Sequence, residues 1–339
     1  MRFGGEGAVQ YIVNTNRSMF LLVIFFVLGV YYYIGGSGFP DYSNYVTLVK
    51  NGGYLRSPDE YAAEWVSRYI LKNPFGFFDS AEHVVDCLAL IVQLFYFAFV
   101  YVLMRDANEQ QQRGWLFFTL ALSPLLLTTA LRAAPAYIVI AYLASHGKLL
   151  TPRVFILSLV SIAFHDSAVV MIMLYAMVCM FCGLFPTVQA GLLRWVMIGA
   201  LVLIVFSQQI SYLLISFMSH YDFGIRSVYF QGGENASILK KIFILLIWFV
   251  SWTALFNEQS DIRTKVFLTA AVLLMAFAFS VSEVAGIRFS AYVLGAAVVS
   301  KGAFMFSGNP DSKYSQVDLL LGLVFFGLMF YDIFRNVKP

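Results

Sequence analysis

His165 and Asp166 stand side by side in Ala163-Phe164-His165-Asp166-Ser167-Ala168, and from Val154 to Leu184, a run of 31 residues, no other Asp, Glu, His, Lys or Arg occurs. A run this apolar dissolves in lipid, where each such group costs about 2.5 to 3.5 kcal/mol. Groups kept at that cost normally face a cavity or a partner. An imidazole placed there can accept a proton or donate a hydrogen bond to an anion; the plainer alternative is a satisfied core histidine.

Arg132 is the second such group. It lies in Thr128-Thr129-Ala130-Leu131-Arg132, between two apolar runs, with no acidic residue within twenty positions. A guanidinium there needs a carboxylate or a phosphate, and its planar fork suits either one bidentately. A salt bridge to Asp166 or Glu283, or snorkelling to the interface, would also satisfy it. Arg226, in Tyr221-Asp222-Phe223-Gly224-Ile225-Arg226, and Arg288, five residues after Glu283, fall at breaks between apolar runs. Each alone reads as an interface anchor. Three arginines expected on one face make an anion pocket, with phosphate as its ligand. Asp41, in Phe39-Pro40-Asp41-Tyr42-Ser43-Asn44-Tyr45, is either a turn residue or, held near the arginines, a carboxylate able to deprotonate an incoming hydroxyl.

Other chemistries are absent from the sequence. It has no Gly-rich phosphate loop, no His-Glu-x-x-His and no Gly-x-Ser-x-Gly elbow. The expected outer loops hold no carboxylate cluster suited to magnesium or calcium, so no bound metal or cofactor is expected. Cys179 and Cys182 have redox spacing but lie inside an apolar run, where thiols behave as small hydrophobes. The net charge of +3 comes with no dense basic cluster, which excludes nucleic acid as a partner.

The elements that must position these groups are helices in a membrane. The chain of 339 residues is 60% hydrophobic and 12% charged, about half the charge of an ordinary soluble domain. Apolar runs at 18–35, 84–104, 114–131, 134–147, 153–164, 167–185, 193–218, 240–256, 264–282, 287–306 and 316–334 predict an all-α integral membrane protein with about eleven spans in one polytopic domain, residues 1–339. The short runs 134–147 and 153–164 read as tilted, broken or re-entrant. Arg105, Arg113, Lys148, Arg153, Arg194, Arg263 and Lys265 mark one face as cytoplasmic. That puts the loops 35–83 and 219–239 on the outer face. In the first loop, Ser57-Pro58-Asp59-Glu60 is a capping box that should start a helix. Tyr61, Trp65 and Tyr69 recur every four residues and Asn73-Pro74 ends the run, which predicts an amphipathic helix at the membrane surface or packed on the span ends.

Asp41-Tyr42-Ser43-Asn44-Tyr45 after the first span, Arg132 two spans later and Ala163-Phe164-His165-Asp166-Ser167-Ala168 within a long apolar run together resemble the EpsG-like branch of bacterial Wzy-type polysaccharide polymerases, which build O-antigen or capsule. The resemblance implies a GT-C-like bundle in the bacterial inner membrane with its site facing the periplasm. It implies metal-independent joining of oligosaccharide repeat units carried on undecaprenyl pyrophosphate. Arg132, Arg226 and Arg288 would grip the pyrophosphate, and Asp41 or His165 would take the proton of the acceptor hydroxyl. Tyr42, Tyr45, Tyr61 and Trp65 would stack on sugar rings, with Asp166, Tyr221 and Glu283 lining the same site. A chain-length regulator is the further expected partner, beside membrane lipid. A ligase using the same donor, and a lipid-linked-sugar transporter with His165, Asp166 and Arg132 along its path, are the alternative readings.

Overall fold

A computed structural model describes residues 5–52, 65–146, 151–185, 187–218, 238–256, 260–304 and 314–335. Among them every regular element is a helix. In chain order these are α1 (Gly5–Ile34), a 3-10 turn (Gly36–Gly38), α2 (Tyr42–Lys50), α3 (Trp65–Leu71), α4 (Ala81–Asp106), α5 (Glu109–Thr128), α6 (Ala134–His146), α7 (Pro152–Phe164), α8 (Ser167–Leu184), α9 (Ala190–Val205), α10 (Ser207–Met218), α11 (Ile238–Ala254), α12 (Ile262–Val281), α13 (Glu283–Lys301) and α14 (Tyr314–Arg335).

Five of these, Thr15–Ile34 within α1, Ala81–Arg105 within α4, α8, α12 and α13, are long and apolar enough to cross a membrane. A sixth span results if α9 and α10 are counted as one. The apolar window of α1 is only 28% buried within the protein, and Leu22, Phe25 and Phe26 are exposed along it. That surface suits lipid. The chain is an all-helical, multi-pass membrane protein. Where the sequence draws one run over 193–218, the helix bends by 76° at the α9–α10 junction. The short runs expected at 134–147 and 153–164 are the short apolar helices α6 and α7.

The helices gather into two compact units. The first comprises residues 1–140, 150–172 and 302–339. Its core helix is α5, apolar on every side beyond its polar first turns and buried almost throughout. A capping box between Asn108 and Gln111 starts it, and α1, α4 and α14 pack around it. Gln93 of α4 donates to the Leu127 carbonyl at 2.9 Å, and the Tyr96 hydroxyl meets Thr119 at 3.1 Å. These bonds lock α4 onto α5 where apolar contact alone would leave its register loose.

The second unit comprises residues 141–149 and 173–301. Its tightest pair is α12 and α13, joined through the extended Ser282. A β-carbon at Gly286 would come within 2.5 Å of Phe279, so only hydrogen fits there. Thr264 donates to the Ala144 carbonyl, Trp248 to that of Met197 and Ser280 to that of Leu203. Lys301, 1% exposed, donates to Thr253.

Gly286→Val should therefore force α13 off α12 and cost about 1–3 kcal/mol, read as a lowered thermal-unfolding midpoint in detergent. Gly191→Ala, where nothing lies within 4 Å, should leave the midpoint unchanged or slightly raised.

Candidate functional site

The first unit builds its site where α1 gives way to α2. Gly35 turns the chain at a φ of 81°, and Asp41 at 68° turns it again into α2. Only a short polar residue adopts this backbone readily without being glycine. Asn44 donates to Asp41 Oδ1 at 3.0 Å and so steadies the exposed carboxylate. Tyr42, Tyr45 and Leu48, spaced by three, form the buried face of α2. The Tyr42 hydroxyl donates to Asp86 Oδ1 at 2.9 Å and lies 3.2 Å from the Glu82 carbonyl oxygen, tying α2 to the first turns of α4.

One turn along α2, the Tyr45 hydroxyl donates to the Thr129 carbonyl at the end of α5, at 3.2 Å. Arg132 follows in the turn between α5 and α6, its guanidinium carbon 5.5 Å from the centre of the Tyr45 ring. Hydrogen bonds from the Arg132 backbone and side chain also reach the Tyr45 oxygen. A guanidinium held over an aromatic ring is fixed in orientation, and its planar shape suits both the ring face and an oxyanion, which distinguishes Arg from Lys. Burial pushes the Tyr45 hydroxyl above its ordinary pKa, and Asp41 adds to this while Arg132 opposes it. Tyr42 is raised by burial and by its hydrogen bond to Asp86. Both remain protonated donors at neutral pH.

His165 and Asp166 sit where the apolar run breaks. Thr151 caps α7 and Pro152 opens it; α7 ends at Phe164, His165 is extended, and α8 resumes at Ser167. His165 is buried and Asp166 half exposed, with Nδ1 and Oδ1 3.4 Å apart. Ser67 of α3 donates to the Phe164 carbonyl at 3.1 Å, and α3 also packs on α2 and α4. The His165 break thus lies at the same end of the unit as Tyr45 and Arg132. α3 itself buries Ser67 and Leu71 and exposes Trp65 and Tyr69, so it packs on the helix ends with its aromatic stripe outward. Its expected start at Ser57, and Tyr61 with it, lie outside the described residues.

The remaining expected residues lie elsewhere. Glu283 opens α13 in the second unit and forms an ion pair with Lys240 of α11, while Arg288 is exposed on α13. Lys241 donates to the Val205 carbonyl at the α9 bend, at 2.7 Å. Tyr221, Arg226 and nearly all of the 219–239 loop lie outside the described residues. The first unit therefore brings together Asp41, Tyr42, Tyr45 and Arg132, with His165 and Asp166 at the same helix ends. Sequence reasoning missed Asp86. Its signal was the one that marked His165, since it falls inside the run 84–104. Among the described residues, no three His, Cys, Asp or Glu side chains gather as a metal site would need.

Tyr45→Phe deletes both the donor to Thr129 and the acceptor for Arg132, and should cost about 1–3 kcal/mol in thermal unfolding. The raised pKa values set the sign of a pH effect. The stability is fully present below the ordinary tyrosine value of 10 and is lost as pH rises above it. Melts between pH 8 and pH 11 should therefore fall less steeply for Tyr42→Phe/Tyr45→Phe than for the wild type. No family model, no curated protein and no solved structure matches this chain.

Proposed function

We propose that this chain is a polysaccharide polymerase of the kind it resembles, joining undecaprenyl-pyrophosphate-linked repeat units at the periplasmic face of a bacterial inner membrane through an eleven-span, GT-C-like bundle. The observation that carries the reading is Arg132, held over the Tyr45 ring where two apolar helices meet, with Asp41 acting on the same tyrosine. Orientation is supported by Arg17, Arg105 and Arg113, which lie toward the opposite ends of α1, α4 and α5 from α2, with Arg17 donating to the Arg105 carbonyl.

In this reading Arg132 grips the diphosphate. The acceptor oxygen uses a lone pair to bond the anomeric carbon as the bond from that carbon to the phosphate oxygen breaks. The electron pair leaves on the diphosphate, where charge grows most in the transition state and the guanidinium stabilises it most. The hydroxyl proton passes to Asp41 or His165. Tyr42 and Tyr45 position the grip, and Asp166 orients His165.

One observation favours a second reading, a lipid-linked-sugar transporter: the apolar runs break at His165, at the α9–α10 bend and at Ser282, and transporters build their sites from broken helices. Glycan analysis separates the two. Under the polymerase reading, Arg132→Ala and His165→Ala leave single capped repeat units and remove the long-chain ladder, with about 10²–10³-fold slower elongation. Normal ladders in both variants would defeat the site assignment. Under the transporter reading, the purified chain moves lipid-linked sugar across vesicles without lengthening it. Pyrophosphate titrated onto purified protein should bind more weakly in Arg132→Ala; unchanged affinity would defeat the assignment of Arg132 as the anion grip.

A further inference from the structure

Asp86 interrupts an otherwise apolar stretch of α4. Val84, Val85, Leu88 and Ala89 around it are buried, yet Asp86 itself is exposed. One of its oxygens accepts from Tyr42. A β-carbon at Gly36 would lie 2.6 Å from the Tyr31 hydroxyl, 2.7 Å from a Tyr42 ring carbon and 3.1 Å from Asp86 Oδ1. Glycine is required there because three side chains converge on its backbone.

The Tyr31 hydroxyl is the unusual member. Tyr31 is 1% exposed, and its oxygen has no hydrogen-bond partner among the described residues. Burying an unpaired hydroxyl is costly. Its ring cannot swing outward easily, being stacked on Phe39 at 5.1 Å and edge-on to Tyr32 at 5.3 Å. The exposed Tyr32 ring is held in turn by its hydroxyl's bond to Gln93 at 3.0 Å. A carboxylate acceptor, an unspent hydroxyl and an exposed aromatic ring thus meet where α1 ends and α4 begins.

We infer that Asp86, with Tyr31, Tyr32 and Tyr42, forms a binding site for the hydroxyl groups of a sugar ring. The charge chooses the ligand class. A phosphate is repelled by the carboxylate, an apolar ligand offers nothing to the second Asp86 oxygen or to Tyr31, and one carboxylate is too few for a divalent cation. A polyol both donates to Asp86 and accepts from Tyr31, while Tyr32 offers it a face. α2 sets the spacing to the anion grip: Tyr42 holds Asp86, and three residues on, a rise of about 4.5 Å, Tyr45 holds Arg132. Its role as an acceptor subsite rests on the polymerase reading, whereas sugar binding itself does not.

The test is saturation-transfer NMR on the purified full chain in lipid nanodiscs, with the methyl glycosides of glucose, galactose and N-acetylglucosamine. At least one glycoside binds the wild type, and Asp86→Asn, which keeps a carbonyl oxygen for Tyr42, weakens it about tenfold or more. If no glycoside binds the wild type, or the variant binds as well, the site is overturned. Should Asp86→Asn fail to accumulate, Tyr42→Phe/Asp86→Leu removes donor and acceptor together. It is expected to lose binding, and unchanged binding overturns the site equally. A normal glycan ladder in cells lacking the chain would overturn the acceptor role and the polymerase reading, while glycoside binding through Asp86 would stand.

Discussion

A backbone carbonyl inside a bilayer has no water to turn to, and each helix leaves four of them unpaired at its C-terminal end. In this chain side chains from other helices reach those ends. Gln93 and Tyr45 satisfy Leu127 and Thr129 at the end of α5, and Ser67 satisfies Phe164 at the end of α7. In the second unit, Thr264 does the same for Ala144 at the end of α6, while Lys241 and Ser280 serve Val205 and Leu203 at the end of α9. Each bond removes a local penalty and fixes one helix end against another element.

The candidate site follows from that requirement. Arg132 comes three residues after Thr129, and His165 directly after Phe164, so the groups able to do chemistry sit beside helix ends already tied down. Tyr45 serves both purposes, since its hydroxyl donates to the α5 carbonyl and its ring carries the guanidinium. A site built this way is rigid because the helix ends cannot drift without breaking buried hydrogen bonds. Rigidity is what a transition-state grip requires, since its donors must already point at the place where charge will develop.

The second unit uses the same device with charges. At the junctions of α9 with α10 and of α12 with α13, Lys241 reaches a terminal carbonyl and Lys240 pairs with Glu283. Adjacent lysines on one helix start thus serve two different breaks. Glu283 stood out in the sequence as an acid at a break. Its partner did not, because a lysine at the mouth of a span looks like any interface anchor.

Composition and periodicity alone determined that the chain is helical and lives in a membrane, and they placed the break between residues 164 and 167. Two ionisable groups within 31 apolar residues are too expensive to bury in an unbroken helix. Which carbonyl Tyr45 meets, that its ring carries Arg132, and that Tyr31, Gly36, Tyr42 and Asp86 converge were decided by packing between segments 40 to 90 residues apart or across a tight turn. Such meetings depend on how helices lie against one another, and one-dimensional spacing carries no record of that. The bend between α9 and α10 belongs to the same class, since no proline marks it and the polar contacts from Lys241 and Ser280 at its edge come from helices far along the chain.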